Sequence, residues 1–258
     1  MRALQLILLF AASAIAFSQS QTPASPPWQM QDSGTTAGLR GIYSVDGTVA
    51  WASGIGGTVL KTIDGGAHWQ KCAIPDAKKD GATLDFRGVQ AWDATTVIVM
   101  SSGKGKLSRL YKTTDGCSTW KFLFKNPDKD GFWDAIYFEG RWDGKGLGTS
   151  GWLLGDPVEG MFSIFYTYDY GKNWYRQSNK GLRVKQGTQG VFAASNSSLF
   201  AHGALVVFGS GGTDGSFVYS GWQTEICVDD CSPEEAVLYG NKHKWYRQQV
   251  SFGHNTDS

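Results

Sequence analysis

Short apolar stretches alternate with turn residues along most of the chain. Three of them, Thr58–Lys61, Arg109–Lys112 and Ile164–Tyr166, each stand directly before a similar polar turn that ends in tryptophan. Stretches of this length, rich in β-branched and aromatic residues and bounded by turn residues, predict β-strands. The pattern therefore predicts an all-β chain of many short strands joined by tight turns.

The three turns share the template T-x-D-x-G-x-x-W and recur about every 50 residues. We expect the Asp side chain to accept hydrogen bonds from backbone N–H groups two and three residues further on. Glycine supplies a positive φ, and tryptophan packs back onto the hairpin. An active site is needed once, whereas a stabilising turn is needed in every repeat, so we interpret the motif as structural. Its positions are Thr62, Asp64, Gly66, Trp69, Thr113, Asp115, Trp120, Thr167, Asp169, Gly171 and Trp174, with Cys117 in place of the second glycine.

Composition agrees with this interpretation. The 34 glycines among 258 residues are about twice the average usage, and glycine disfavours helix interiors. A hydrophobic fraction of 41% and an aromatic fraction of 14% supply a core and exclude a disordered chain. The net charge of +1 favours neither a nucleic-acid partner nor an anionic membrane surface.

The N-terminus has the pattern of a secretory signal. A positive start at Arg2 precedes the apolar run Ala3–Phe17, which ends at small residues and a polar stretch. We predict a signal peptide over residues 1–18, a flexible segment over 19–35, a secreted or periplasmic location, and no integral membrane segment after cleavage. The alternative, a retained anchor, is disfavoured because a span needs about 20 apolar residues. No cysteine lies near the cleavage point, which argues against a lipid anchor.

Four cysteines, an even number, favour disulfides in an exported chain. Of the three possible connectivities we favour Cys72–Cys117 with Cys227–Cys231. The alternative is a metal site, but the last two cysteines lack the C-x₂-C spacing of common zinc sites, and the histidines are scattered. We predict no metal and no cofactor.

The template resembles the Asp-box, or BNR repeat, of sialidase-like β-propellers, where the box joins the third and fourth strands of each four-stranded blade. Within these propellers the chain looks most like the exported photosystem II assembly and stability factors. The resemblance implies a β-propeller of four-stranded antiparallel blades, one about every 50 residues. It covers roughly residues 36–250, with blades at about 38–76, 85–125, 132–178 and 188–250 and a tail over 251–258.

The fourth blade is expected in degraded form. Val191–Ser195, Leu205–Phe208 and Ser216–Tyr219 read as strands, and Val237–Tyr239 with Lys244–Gln248 read as a box hairpin without its Asp. About four blades are therefore present, as a minimal ring or, the alternative favoured here, as an incomplete one.

Four polar residues occupy equivalent places in the first strand of each predicted blade: Arg40, Arg87, Asp134 and Gln189. A small residue follows each, as a crowded central axis requires. We predict that the four ring one mouth of the channel, where arginines can bind a carboxylate or a sugar. The alternative is that their charges neutralise one another. Asp156 and Glu159 are further ligand candidates, or else turn residues.

The sequence leads to two hypotheses of function. Sialidase activity is disfavoured because a third arginine and a Tyr/Glu pair cannot be assigned, and we assign no catalytic residue. The favoured prediction is an exported, non-catalytic binding or assembly scaffold for a protein or glycan partner. The alternative is a glycoside hydrolase of sialidase-like fold acting on extracellular glycans, with Asp134 and Asp156 as weak candidates for its paired carboxylates.

Overall fold

A computed structural model describes residues 28–78, 84–140, 147–193, 196–223 and 243–250. The predicted signal peptide, much of the flexible segment and the tail lie outside these residues. The chain divides into two compact units, Met1–Gln31 and Asp32–Ser258, and every described strand belongs to the second. Within the described part of the chain, no helix has the length and apolar character that a membrane crossing requires.

Consecutive strands form four antiparallel sheets, which confirms the all-β prediction. The first three sheets have four strands each, and the fourth has five, because both β13 and β14 pair with β15. Sheet 1 contains β1 (Leu39–Ser44), β2 (Ala50–Gly54), β3 (Thr58–Thr62) and β4 (Gln70–Lys71). Sheet 2 contains β5 (Asp85–Ala91), β6 (Val97–Ser102), β7 (Arg109–Thr113) and β8 (Lys121–Lys125). Sheet 3 contains β9 (Trp133–Gly140), β10 (Leu147–Val158), β11 (Met161–Thr167) and β12 (Tyr175–Arg176), and sheet 4 contains β13 (Gln189–Gly190), β14 (Leu199–His202), β15 (Leu205–Gly212), β16 (Ser216–Gln223) and β17 (His243–Val250).

The sheets pack face to face in chain order. Extensive contacts join sheet 1 to sheet 2, sheet 2 to sheet 3 and sheet 3 to sheet 4, and no contacts of similar extent among the described strands join sheet 4 back to sheet 1. The second unit is therefore an open arc of four blades, as an incomplete ring requires.

Strand β6 shows how the core is divided. Every residue of β6 is buried, because side chains alternate between the two faces of a strand and sheet 2 has a neighbour on each side. Val97 and Val99 pack into the cluster shared with sheet 1, whereas Ile98 and Met100 pack into the cluster shared with sheet 3. A third cluster lies between sheets 3 and 4 and is rich in aromatic side chains, including Phe162, Phe208, Tyr219 and Trp245.

The first strand of the fourth blade differs from the prediction. Residues 191–193 of the predicted strand Val191–Ser195 are not in a strand, and residues 194–195 lie outside the described part; β13 precedes this stretch, and a short 3₁₀ helix at Asn196–Ser198 and then β14 follow it. The Asn196 side chain accepts a hydrogen bond from the Ile136 N–H (3.2 Å) and donates one to the Val89 carbonyl (3.4 Å). These bonds to two other sheets hold the segment out of sheet 4.

The end of the fourth blade agrees in part with the prediction. The predicted strand Ser216–Tyr219 is the first half of β16, and Lys244–Gln248 lies within β17. Val237–Tyr239 lies outside the described residues.

The three box segments, Thr62–Trp69, Thr113–Trp120 and Thr167–Trp174, have one hydrogen-bond pattern. The Thr hydroxyl donates to the Asp Oδ1 atom at 2.8, 2.8 and 2.9 Å, and it accepts from the N–H four residues on at 2.9, 3.1 and 3.1 Å. The hydroxyl is therefore saturated inside each turn.

The Asp acceptor pattern corrects the prediction. Each Asp Oδ1 accepts from the N–H four residues on, at 2.9 Å in all three turns, which is one residue further than predicted. Two consecutive residues of positive φ follow each Asp, so the chain takes more residues to reverse its direction. The pairs are Gly65 with Gly66, Gly116 with Cys117, and Tyr170 with Gly171.

Replacing Thr167 with valine tests this network. Thr167 is buried, so the isosteric change leaves the Gly171 N–H and the Asp169 carboxylate without their hydroxyl partner. We expect the free energy of unfolding, measured by urea denaturation, to fall by about 1–3 kcal/mol. Thr48→Val on an exposed turn is the control and should change it by less than about 0.5 kcal/mol. Equal values for the two variants would contradict a stabilising role for the hydroxyl.

A disulfide connects the first two blades. Cys72, just after β4, and Cys117, in the second box segment, form a disulfide with Cα atoms 5.5 Å apart. Cys227 and Cys231 lie outside the described residues.

In the described part of the chain no group of His, Cys, Asp and Glu side chains is arranged to hold a metal ion.

Two lysines make a repeated contact that the sequence analysis missed. Lys61 Nζ lies 5.5 Å from the centre of the Trp51 ring and donates to the Gly116 carbonyl in the next blade at 3.0 Å. Lys112 Nζ lies 4.6 Å from the Trp92 ring and donates to the Tyr170 carbonyl of the third box segment at 3.0 Å. Each lysine thus stacks on its own blade and binds the turn of the next.

Candidate functional site

The first strands of the four sheets carry the predicted polar residues. Arg40 lies on β1, Arg87 on β5, Asp134 on β9 and Gln189 on β13.

Close approach of these strands explains the glycine that follows each of the two arginines. A Cβ atom added at Gly41 would lie 2.7 Å from the Arg87 carbonyl oxygen, and one added at Gly88 would lie 2.7 Å from Ile136 Cγ2. Glycine at both places therefore lets neighbouring first strands approach, and so brings their polar residues near one another.

The two arginines share one carboxylate. Arg87 Nε donates to Asp85 Oδ2 at 2.8 Å, and Arg40 Nε lies 3.7 Å from Asp85 Oδ1. The Arg87 guanidinium also lies over the Phe132 ring, 5.9 Å from its centre. The side chains of Arg40 and Arg87 remain 45% and 28% exposed. Two cations thus face a single partly buried anion and keep N–H donors accessible to a ligand.

Asp85 and Phe132 were not among the predicted site residues. Asp85 stands two residues before Arg87 on a strand, so both side chains lie on the same face. That spacing is the signal in the sequence that could have identified the ion pair.

Asp134 is buried, with 2% of its surface exposed, and its Oδ2 atom has no hydrogen-bond partner among the described residues. Burial, and to a smaller extent the charge of Asp156, raise the pKa of this carboxyl to about 9, although a backbone hydrogen bond from Asp156 and the Arg87 guanidinium both act to lower it. Asp134 is therefore protonated and uncharged at neutral pH.

Asp156 lies close enough for its charge to act on this carboxyl, and both Asp156 and Gln189 are held by sheet 4. Asp156 Oδ1 accepts a hydrogen bond from the Val191 N–H at 2.9 Å, and burial raises the pKa of Asp156. Gln189 Oε1 accepts hydrogen bonds from Ser210 Oγ at 3.0 Å and from the Tyr219 hydroxyl at 2.9 Å.

Glu159 lies apart from this group. It stands at positive φ in the turn between β10 and β11 and lines a cleft of about 1050 Å³ together with Lys104, Asp128 and Gln186. The residues that the prediction places at the mouth are thus two accessible arginines, a neutral buried carboxyl and two side chains held by sheet 4. Such a set offers mainly hydrogen-bond donors and favours an anionic ligand.

No protein-family model matches the chain. The Photosystem II assembly lipoprotein Ycf48 of Synechococcus sp. (strain CC9902) is 28% identical over 174 residues, which are 66% of this chain and 46% of that protein. The chain thus spans about half the length of the curated relative it matches.

Two solved structures share the fold. A structure of YCF48 bound to D1 peptide superposes with a TM-score of 0.51 at 21% identity, over 78% of this chain and 56% of that one. YCF48 from Cyanidioschyzon merolae gives a TM-score of 0.52 at 18% identity, over 84% and 57% of the two chains. Together with the open arc of four-stranded blades, these likenesses show a β-propeller chain that is similar in sequence and fold to the Ycf48 photosystem II assembly proteins.

Proposed function

We propose that this chain is an exported, secreted or periplasmic, non-catalytic scaffold that binds an acidic group of a protein partner between Arg40 and Arg87. The observation that carries the proposal is the pair of accessible arginines that share the single carboxylate of Asp85. The likeness to a YCF48 structure bound to D1 peptide supports a peptide segment as the ligand. The box segments serve as structural turns that hold the blades in place.

The charge state of the mouth favours an anion. Because Asp134 is protonated at neutral pH, it does not cancel the charge of Arg87. Arginine can donate two parallel hydrogen bonds to one carboxylate, so either guanidinium suits an Asp or Glu side chain or a chain terminus.

The glycoside hydrolase alternative receives less support. Paired carboxylates of a glycosidase must flank the scissile bond and touch the sugar. Asp134 is 2% exposed, so its carboxyl cannot reach a sugar outside the strands that bury it.

Binding of short synthetic peptides tests the proposal. Peptides with a free α-carboxylate and acidic side chains would be compared with amidated, acid-free peptides of matched length by calorimetric titration. We expect the acidic set to bind and the double variant Arg40→Ala/Arg87→Ala to bind about tenfold or more weakly, as loss of charge-assisted hydrogen bonds implies. Arg183→Ala, which removes an exposed arginine after β12, is the matched control.

Two results would overturn the proposal. One is equal binding by wild type and by the double variant, with its fold verified by circular dichroism. The other is release of sugar from a glycan panel by wild type and its loss on Asp134→Asn, which would favour the hydrolase.

A further inference from the structure

Three lysines meet at the junction between sheets 2 and 3. Lys112 on β7 pairs directly with Lys121 on β8, and residues paired in this way place their side chains on the same face of a sheet. Lys112 Nζ donates to the Tyr170 carbonyl of the third box segment, and Lys172 follows two residues later in the same segment. The charges of Lys121 and Lys172 both act on Lys112. The junction therefore places two further ammonium groups around that of Lys112.

The surroundings of Lys112 disfavour its positive charge. Burial, and then the charges of Lys172 and Lys121, lower the pKa of Lys112 to about 8, although the charge of Asp169 acts to raise it. Like charges directly opposite each other on paired strands also destabilise a sheet. Without a ligand, the close approach of these lysines is therefore unfavourable.

Asp169 does not supply the missing negative charge, because the box turn already binds its carboxylate. Oδ1 accepts hydrogen bonds from the Thr167 hydroxyl and from the Asn173 N–H, both at 2.9 Å. Oδ2 accepts one from Asn173 Nδ2 at 2.6 Å. Among the described groups whose charges act on Lys112, two are lysines and one is this carboxylate. Positive charge is therefore in surplus at the junction.

The junction between sheets 1 and 2 shows that the fold does not require this surplus. Lys61 has the place of Lys112 there and donates to the Gly116 carbonyl at 3.0 Å. Its partner on the next strand is Gln70 rather than a lysine, and the box residue that corresponds to Lys172 is Ser118. One lysine is therefore enough to bind the turn of the next blade, and the two additional lysines need another explanation.

The additional lysines are accessible, and their chemistry suits a phosphate group. Lys121 and Lys172 are both exposed, and Tyr170 beside them is 40% exposed. A lysine ammonium group binds phosphate as a point charge. A phosphate group carries a charge of about −1.5 to −2 at pH 7 and so offsets the surplus more fully than a single carboxylate does.

We propose that Lys112, Lys121 and Lys172 bind a phosphate group at the junction of sheets 2 and 3. The bound anion relieves the repulsion among the lysines, while Lys112 keeps its hydrogen bond to the next blade. The site involves the third and fourth strands of sheet 2, whereas Arg87 lies on its first strand. Loss of phosphate binding and loss of acidic-peptide binding are therefore distinguishable.

The test is the pKa of the Lys112 amine in the full chain, with inorganic phosphate as the probe. The ¹³C chemical shift of the lysine Cε atoms would be followed with pH in phosphate and in sodium chloride of equal ionic strength, and Lys112→Arg identifies the Lys112 signal. A nearby opposite charge favours the charged form of a titrating group, so we expect phosphate to raise the pKa of Lys112 by about 1 relative to chloride.

The variant Lys121→Gln/Lys172→Ser gives this junction the residues that the first junction has. Both positions are exposed, so the variant should fold normally. We expect it to bind phosphate about tenfold or more weakly and to lose the effect of phosphate on Lys112. Lys180→Gln/Lys185→Ser, which removes two exposed lysines from another loop, is the matched control and should respond as wild type does.

A phosphoserine peptide without other acidic groups distinguishes the two sources of phosphate. Tighter binding of this peptide than of inorganic phosphate would identify a phosphorylated protein as the ligand, and equal binding would identify free phosphate; both results support the site if Lys121→Gln/Lys172→Ser weakens them. The double variant Arg40→Ala/Arg87→Ala should keep phosphate binding. An unchanged pKa of Lys112 in phosphate, or an equal response of wild type and Lys121→Gln/Lys172→Ser, would refute the site and leave the arginine pair untouched.

Discussion

Asp134→Asn is expected to raise the free energy of unfolding by roughly 2–4 kcal/mol at pH 7 and to leave it nearly unchanged at pH 4. Substitutions at buried positions usually destabilise a protein. A gain in stability on replacing Asp134 would show that the protein retains this carboxyl group although it lowers stability. Residues of this kind are common at functional sites.

The sign follows from the two pKa values of Asp134. Folding raises the pKa of this carboxyl from 3.8 to about 9, mainly because burial disfavours the charged form. Below pH 3.8 both states hold the proton and the carboxyl stabilises the fold fully. As pH rises towards 9, only the unfolded state releases the proton, so stability falls. Asparagine is neutral in both states and removes this loss.

Urea denaturation of wild type and variant at a series of pH values between 4 and 8 measures the effect. Asp46→Asn is the matched control, because backbone N–H groups of Val49 and Thr48 lower the pKa of that exposed carboxyl. Its replacement should therefore not stabilise the protein at pH 7. If Asp134→Asn and wild type had parallel pH profiles, the Asp134 carboxyl would be ionised in the folded state, contrary to our assignment.

Removing the disulfide between Cys72 and Cys117 is expected to cost about 3–4 kcal/mol. The cysteines are 45 residues apart in sequence, and in the chain-entropy model a loop of this length contributes about 4 kcal/mol by restricting the unfolded chain. The double variant Cys72→Ala/Cys117→Ala and wild type treated with reductant should lose similar amounts in urea denaturation.

The residue that replaces Cys117 in the double variant allows a second comparison of stability. Cys117 has φ +73°, and the equivalent residues Gly66 and Gly171 have φ +91° and +76°. A left-handed conformation costs a residue other than glycine about 1 kcal/mol or more. Cys72→Ala/Cys117→Gly should therefore be about 1 kcal/mol more stable than Cys72→Ala/Cys117→Ala. Equal stability of these two variants would show that the turn relaxes when the disulfide is absent.

Local chemistry explains which parts of the fold were predictable. The box segments are stabilised by hydrogen bonds between residues two to four apart, as between Thr113, Asp115 and Thr119, so a short stretch of sequence specifies each turn. Periodic recurrence of that stretch then predicts the number and order of the blades.

The features that escaped prediction depend on distant partners. The first strand of sheet 4 is interrupted because Asn196 binds Val89, 107 positions earlier in the chain. The contact of Lys112 with the Tyr170 carbonyl spans 58 positions. Burial of Asp134, which decides its charge, depends on how whole sheets pack and is not visible in the residues beside it. The candidate residues could therefore be named from the sequence, but the protonation state of Asp134 could not.

The lysine contacts and the disulfide have a shared consequence for cooperativity. Lys61, Lys112 and the Cys72–Cys117 bond each tie one blade to its immediate successor. Coupling of this nearest-neighbour kind is what makes repeat proteins unfold as runs of adjacent units rather than unit by unit. Blades 1 to 3 are thereby linked into one cooperative block.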